Sequence, residues 1–292
     1  MSAVATTPGY ADRAGTVEPM RIATWNVNSL RARVDRVVDF LERSDVDVLL
    51  MQEIKCKPEQ APLAAFEAAG YKVATHGLNQ WNGVAIASRV GLTDVRIGFE
   101  GQPAFGKPGQ DAVVEARALG ATCAGVDVWS VYVPNGRGID DPHYGYKRAF
   151  LQALATAAGG WASRPTAIGG DFNVAPLATD IWNEADPEAV THVTAEVRQD
   201  LDLLAKAGYE ELSRTFVPDE RTYTFWDYKQ LRFPRNEGLR IDFLYASPTL
   251  ASLATACHID RNERKGTGAS DHVPVIADFS IADFSIAGTN ES

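Results

Sequence analysis

Apolar residues come in short blocks along this chain, and several blocks close on a polar side chain instead of a turn residue. Residues 20–25 form one such run, ending in Asn26, Val27 and Asn28. Val34, Val37, Val38 and Leu41 then recur at helical spacing, which predicts an amphipathic helix. A second run, 46–51, closes on Gln52 and Glu53, and 59–69 reads as a helix stopped by Gly70. From 71 to 133 the pattern shortens to strands and turns. Trp81, Asn82 and Gly83 turn the chain into 84–87, residues 102–110 read as a loop, and 113–119 and 126–133 make the next strand pair. Phe150, Leu154, Ala158 and Trp161 mark a long helix, and Val197, Leu201, Leu204 and Ala205 another. The last third returns to strands at 222–226, 241–245 and 273–279.

Strands and helices interleave in both halves with no low-complexity linker, which predicts an α/β fold of two mixed sheets packed face to face between helical layers. We expect one domain over 20–280, a loose Ala/Thr/Gly/Pro-rich tail at 1–19 and an extension at 281–292. IADFS occurs twice, at 276–280 and 281–285; the first copy ends a strand and the second is peripheral. Cys56, Cys123 and Cys257 have no metal-ligand spacing and read as buried thiols in a reducing, cytoplasmic setting. No apolar run reaches membrane-spanning length, and 1–19 lacks the apolar block of a secretion signal. A net charge of −10 argues against nucleic-acid binding through the whole surface but leaves room for a local basic face. Basic residues do gather beside the polar strand ends, although each group taken singly reads as a solvated helix or loop.

The stretch IGGDFNV at 168–174 carries the strongest chemical signal. Its two glycines let backbone turn sharply and approach a ligand. In extended chain Asp171 and Asn173 point the same way while Phe172 packs inward. A carboxylate and a carboxamide at a strand end suit hydrolysis, and equally suit capping a following helix. The number of similar strand ends favours chemistry: Asn26, Glu53, Tyr132, Asp171, Asn173, Asp242, Asp271 and His272. Carboxylates gathered at one cleft repel, so a cation is expected among them. Oxygen ligands without cysteine favour a hard ion such as Mg²⁺ or Mn²⁺, with Glu53 the first ligand and Asp271 the next. Adjacent side chains diverge, so Asp242 is the expected partner of His272, fixing its tautomer and leaving the second ring nitrogen for substrate.

Seven segments occur in order: TWNVNSLR at 24–31, MQEIK at 51–55, WNGV at 81–84, YVPNG at 132–136, GDFN at 170–173, RIDFL at 240–244 and SDH at 270–272. Through them the chain, over roughly 21–279, resembles the exonuclease III family of apurinic/apyrimidinic endonucleases within the wider endonuclease/exonuclease/phosphatase group. The resemblance implies a four-layer α/β/β/α sandwich of DNase I-like type and divalent-metal hydrolysis of DNA phosphodiesters. It implies that Glu53 is the main metal ligand, with Asn26, Asp171, Asn173, Asp271 and His272 bordering the ion. Asp171 would position or deprotonate the attacking water, Asn173 would hold the scissile phosphate, and Tyr132 would contact that phosphate or the leaving oxygen. Asp242 would orient His272, which donates to a phosphoryl oxygen. The sphingomyelinase, inositol-phosphatase and DNase I branches carry a second histidine where this chain has Tyr132, so the abasic-site branch is favoured.

The same resemblance sets an aromatic of TFWD (224–227), Phe225 or Trp226, against a flipped-out abasic sugar, with Leu239 and Ile241 completing an apolar wall. Asn28, Arg31, Asn135, Arg137, Lys229 and Arg232 would face DNA, the basic ones tracking phosphates. Gln230, Leu231, Arg232 and Phe233 resemble the peptides that dock on bacterial sliding clamps, with a plain DNA-facing loop as the alternative. The expected protein is a monomeric, Mg²⁺-dependent nuclease acting on double-stranded DNA at abasic sites and 3′ ends. The rivals are a same-fold phosphoesterase with a non-DNA substrate and a DNA-binding module without catalysis.

Overall fold

The computed structural model describes residues 19–281, except 107, 108, 110, 219 and 220. Its strands are β1 (Met20–Asn26), β2 (Val48–Gln52), β3 (Lys72–His76), β4 (Val84–Ser88), β5 (Thr93–Ile97), β6 (Ala118–Cys123), β7 (Val126–Tyr132), β8 (Thr166–Asp171), β9 (Glu210–Glu211), β10 (Asp242–Ala246), β11 (Ala254–Ile259) and β12 (Val275–Phe279). The α-helices are α1 (Leu30–Arg43), α2 (Leu63–Ala68), α3 (Pro142–Trp161), α4 (Val190–Val193), α5 (Ala195–Lys206), α6 (Leu212–Phe216) and α7 (Pro248–Ala251). One sheet runs β11-β12-β1-β2-β4-β3 and the other β5-β6-β7-β8-β10-β9.

Central strands are apolar on both faces, and that produces the layers. Ile22, Val48, Leu50, Val84 and Ile86 of the first sheet meet Leu119, Ala121, Val128, Ala167 and Leu244 of the second. The alternate residues Ala23, Trp25, Leu49 and Met51 face outward onto Val37, Phe40 and Leu41 of α1 and Phe66 of α2. On the opposite side Trp129, Val131, Ile168 and Phe243 pack against Phe150 and Leu154 of α3 and Val197 and Leu201 of α5. The result is the α/β/β/α sandwich expected from the sequence.

Strand polarity then gathers polar ends at one rim. β1 runs parallel to β2 with Asn26 opposite Gln52, and β7 runs parallel to β8 with Tyr132 opposite Asp171. β10 is antiparallel to β8 and starts with Asp242 opposite Asp171. β12 is antiparallel to β1, so Asp271 and His272, just before it, arrive at the same rim. Gln52 ties the sheets together there by donating to Ser130 Oγ at 3.0 Å, and Ser130 donates to the Met51 carbonyl at 2.8 Å.

Several sequence expectations need revision. Gly169 and Gly170 lie inside β8, where they permit close packing, not a turn. A Cβ on Gly170 would stand 1.9 Å from the Val131 carbonyl oxygen, and one on Gly169 would stand 2.7 Å from a methyl of Leu50 in the facing sheet. The helix expected at 59–69 is split into a single turn at Pro58–Gln60 and α2, because Pro62 interrupts it. Residues 113–117 precede β6 without joining it, and Val113 and Val114 are exposed. The true partner of β7 starts at Ala118 and reaches it through Ala124 and Gly125, both in left-handed backbone. Residues 222–226 form no named strand; isolated bridges at Phe225 and backbone hydrogen bonds at Thr224 and Trp226 tie them to Leu239, Asp271 and Val273. The tail at 1–18 and the second IADFS copy, apart from Ile281, lie outside the described residues.

Gly170→Ala is expected to destabilise the fold by on the order of 3 kcal/mol, because backbone leaves the new methyl no space. Chemical denaturation that gives wild-type stability for this variant would contradict the packing described.

Candidate active site

Glu53, the residue after β2, and Asn173, two residues after β8, both adopt left-handed backbone, with φ of 52° and 53°. Such conformations are uncommon for residues with a Cβ and persist only where surroundings enforce them. At 171–173 the chain curls, and Asp171 Oδ1 accepts the Asn173 backbone N–H at 2.9 Å. Asp171 and Asn173 therefore share a cleft through this curl and not through strand alternation. Phe172 does turn inward, packing on Phe243 and Tyr245. Neither polar residue caps a helix, since the next helical turn begins at Ala178 after Leu177.

Asn26, fully buried at the end of β1, donates its amide to Glu53 Oε1 at 2.8 Å and to Asp171 Oδ2 at 3.0 Å. His272 Nδ1 lies 2.8 Å from Asp242 Oδ2, which also accepts the Thr224 hydroxyl at 2.6 Å. The other ring nitrogen stands 3.8 Å from Asp171 Oδ2. Burial opposes a charge on His272, but Asp242 and Asp171 outweigh it and push the imidazole up to about 10. Burial raises the Asp171 carboxyl above the ordinary carboxylate range, with Asp242 and Glu53 adding to the effect and His272 opposing it. Burial would raise Glu53 as well, yet Lys55 and the Asn26 amide bring it below its usual value. The Tyr132 phenol is pushed well up, first by burial and then by Glu53.

Glu53, Asp171 and His272 each bring a donor atom within 4.8 Å of the others'. Two carboxylates with an amide between them fit a hard divalent ion. His272 completes this group, with its Nδ1 turned towards Asp242. Asp271 stands outside the group, accepting from Asn28 Nδ2 at 3.0 Å. Asn173 is held by its own contacts: its Oδ1 accepts from Asn135 at 3.2 Å and its Nδ2 donates to the Val133 carbonyl at 3.0 Å.

Beside this cluster lies a cavity of about 150 Å³ whose lining includes Asn135, His192, Phe225 and Leu239. Phe225 reaches from it to the His272 ring, 4.8 Å between centroids. Trp226 cannot line it, being fully enclosed against Tyr223 and Phe233. Ile241 is buried with Leu239, Ala175 and Ile181. Arg31, Asn135, Arg137 and Lys229 are exposed and Asn28 is half-buried, whereas Arg232 is buried and bound to Asp186 at 2.6 Å and Glu188 at 3.0 Å. Arg232 is therefore not a free phosphate contact. Gln230 and Leu231 both adopt left-handed backbone and Phe233 packs against Trp226, so 230–233 forms a compact turn.

Lys147 is a site member that the sequence reading passed over. Its buried ammonium donates to the carbonyls of Asn135 (3.1 Å), Asn173 (2.5 Å) and Thr191 (2.7 Å), and burial pushes it down to about 7. The available signal was spacing, because Lys147 shares the α3 face of Leu151, Leu154 and Ala158. His192 was also missed; its Nδ1 lies 2.5 Å from the Asn173 carbonyl, and burial beside Lys147 holds it down at about 3.

Comparison with known proteins places the fold in a family. The Endonuclease/Exonuclease/phosphatase family matches residues 23–272. An AP endonuclease from Archaeoglobus fulgidus superposes with a TM-score of 0.82 at 33% identity, covering 90% of this chain and 100% of its own. A 3′ phosphatase from Neisseria, solved with a product DNA hairpin, superposes at 0.81 with 32% identity, over 89% of this chain and 99% of its own. Exodeoxyribonuclease III of Haemophilus influenzae is 28% identical over 275 residues, 89% of this chain and 100% of that protein.

The Asp242–His272 pair predicts a titration. The folded value of His272 exceeds the ordinary 6.5, so the pair adds stability that is fully present below that pH and lost as pH rises towards 10. In Asp242→Asn, NMR of the imidazole should show the proton leaving at lower pH than in wild type. An unchanged titration would remove Asp242 as the cause.

Proposed function

The chain belongs to the Endonuclease/Exonuclease/phosphatase family, and on that footing we infer that it is a DNA-repair nuclease. It hydrolyses DNA phosphodiesters 5′ to abasic sites and from 3′ ends, with 3′-phosphatase or 3′-phosphodiesterase activity. The observation that carries this reading is the meeting of Glu53, Asp171 and the Asp242–His272 pair, drawn from both sheets, beside a small cavity.

A divalent ion, Mg²⁺ or Mn²⁺, held by Glu53 with Asn26 and Asp171 alongside, would supply positive charge to the phosphate. Asp171 orients the attacking water and takes its proton. Protonated His272, kept in place by Asp242, donates to a phosphoryl oxygen. The second amide hydrogen of Asn173 and the Tyr132 hydroxyl provide further donors at the phosphate and the leaving oxygen. Donors fixed in advance stabilise developing charge without reorganising.

The cavity of about 150 Å³ is small beside the roughly 300–1,000 Å³ of ordinary ligand pockets, which supports a baseless sugar as its occupant. Phe225 and Leu239 would meet that sugar, with Ile241 supporting Leu239 from behind. Arg31, Arg137 and Lys229, with Asn28 and Asn135, would hold the duplex, and the charge contacts would make binding salt-dependent. The reading takes 20–280 as one catalytic domain acting as a monomer. Three buried free thiols suit a cytoplasmic setting. Docking on a sliding clamp through Gln230–Phe233 would first require Phe233 to leave Trp226, and is not part of the proposal.

The test is cleavage of an abasic duplex oligonucleotide with and without EDTA. Wild type should cut 5′ to the lesion only without chelator, Asp171→Ala should be inactive, and Asn173→Ala should lose about 10²–10³ in rate. Robust cutting in chelator by wild type and Asp171→Ala alike would overturn the mechanism.

A further inference from the structure

Both carboxylate oxygens of Glu53 already have donors within the chain. Oε1 accepts from Asn26 at 2.8 Å, and Oε2 lies 2.7 Å from Lys55 Nζ. The same ammonium donates to Asn28 Oδ1 at 2.5 Å. We propose that Lys55 is a displaceable internal counter-ion that competes with the divalent ion for Glu53, and so sets how tightly the site takes its metal. This inference rests on the metal-assisted reading above.

The backbone that aligns the two residues is unusual. Glu53 and Lys55 both have left-handed φ, 52° and 51°, on either side of buried Ile54. Hydrogen bonds from Ile54 N–H to the Gly83 carbonyl at 3.1 Å and from Lys55 N–H to the Asn82 carbonyl at 3.0 Å pin this curl to the turn before β4. Two such residues among three cost free energy, which the surroundings must offset. What the curl achieves is to set ammonium against carboxylate across one intervening residue.

The two donors on Glu53 differ in how easily they leave. Asn26 is fully buried and also bound to Asp171, so its amide has nowhere to go. The Lys55 side chain is 28% exposed, and a lysine stem can carry its head into water at small cost. Charge balance points the same way. Glu53, Asp171 and Asp242 stand close together with one imidazolium, and Lys55 supplies the second positive charge that a divalent ion would otherwise bring. Metal uptake at Glu53 is on this view an exchange of cations.

The experiment is Mn²⁺ titration of the DNA-free protein, followed by the EPR signal of the free ion, so no turnover is involved. Lys55→Met should bind Mn²⁺ roughly three- to tenfold more tightly than wild type, and should melt at a lower temperature in chelator because Glu53 loses its partner. Lys55→Arg should keep affinity near that of wild type. Lys55→Gln, which retains a polar side chain, provides a second neutral variant should the methionine perturb folding. Affinity unchanged or weaker in both neutral variants, with binding abolished by Glu53→Gln, overturns the exchange and leaves the metal reading intact. No binding by wild type, or binding that survives Glu53→Gln, overturns both.

Discussion

Asp171 and Asp242 sit opposite one another on adjacent strands, both withdrawn from solvent. Two carboxylates in that position cost several kcal/mol each unless donors and positive charge surround them, and this requirement organises the rim of the molecule. Asn26 and the Asn173 backbone serve Asp171, while Thr224 and His272 serve Asp242. Each of these partners belongs to a different segment, so the site is satisfied only when both sheets are in register.

Beneath the carboxylates a second tier of buried charge holds the loops. Lys147 fastens three carbonyls on the cavity side, and Arg240, next to Ile241 and Asp242, binds Asp180 at 2.8 Å and Glu211 at 2.7 Å. A buried ion pair contributes little net stability compared with an apolar isostere, but it leaves few alternative geometries for the segments it joins. Arg240 therefore anchors the segment that leads into β10, and with it Asp242.

The layers were legible because period-two apolar runs on both faces leave strand ends as the natural place for polar groups. Asn26, Glu53, Tyr132 and Asp171 could be marked that way. Local pattern could not separate Phe225 from Trp226, because both are apolar aromatics and only tertiary packing decides which one is enclosed. Nor could it show that Arg232 is neutralised, since its partners Asp186 and Glu188 lie more than forty positions away. The glycine pair was marked correctly and explained wrongly: the space it preserves belongs to neighbouring strands, which a linear reading does not contain. His192 had no signal at all, being one polar residue in a short helix.

The pairing of β1 with β12 joins the first strand of the sandwich to its last, with Thr24 opposite Val275. His272 enters the rim with the approach to that final strand. During synthesis, which proceeds from the N-terminus, Glu53 and Asp171 thus emerge long before the imidazole they share a cleft with. A half-made chain holds the carboxylates but not the imidazole, so the rim is complete only once the last strand pairs with the first.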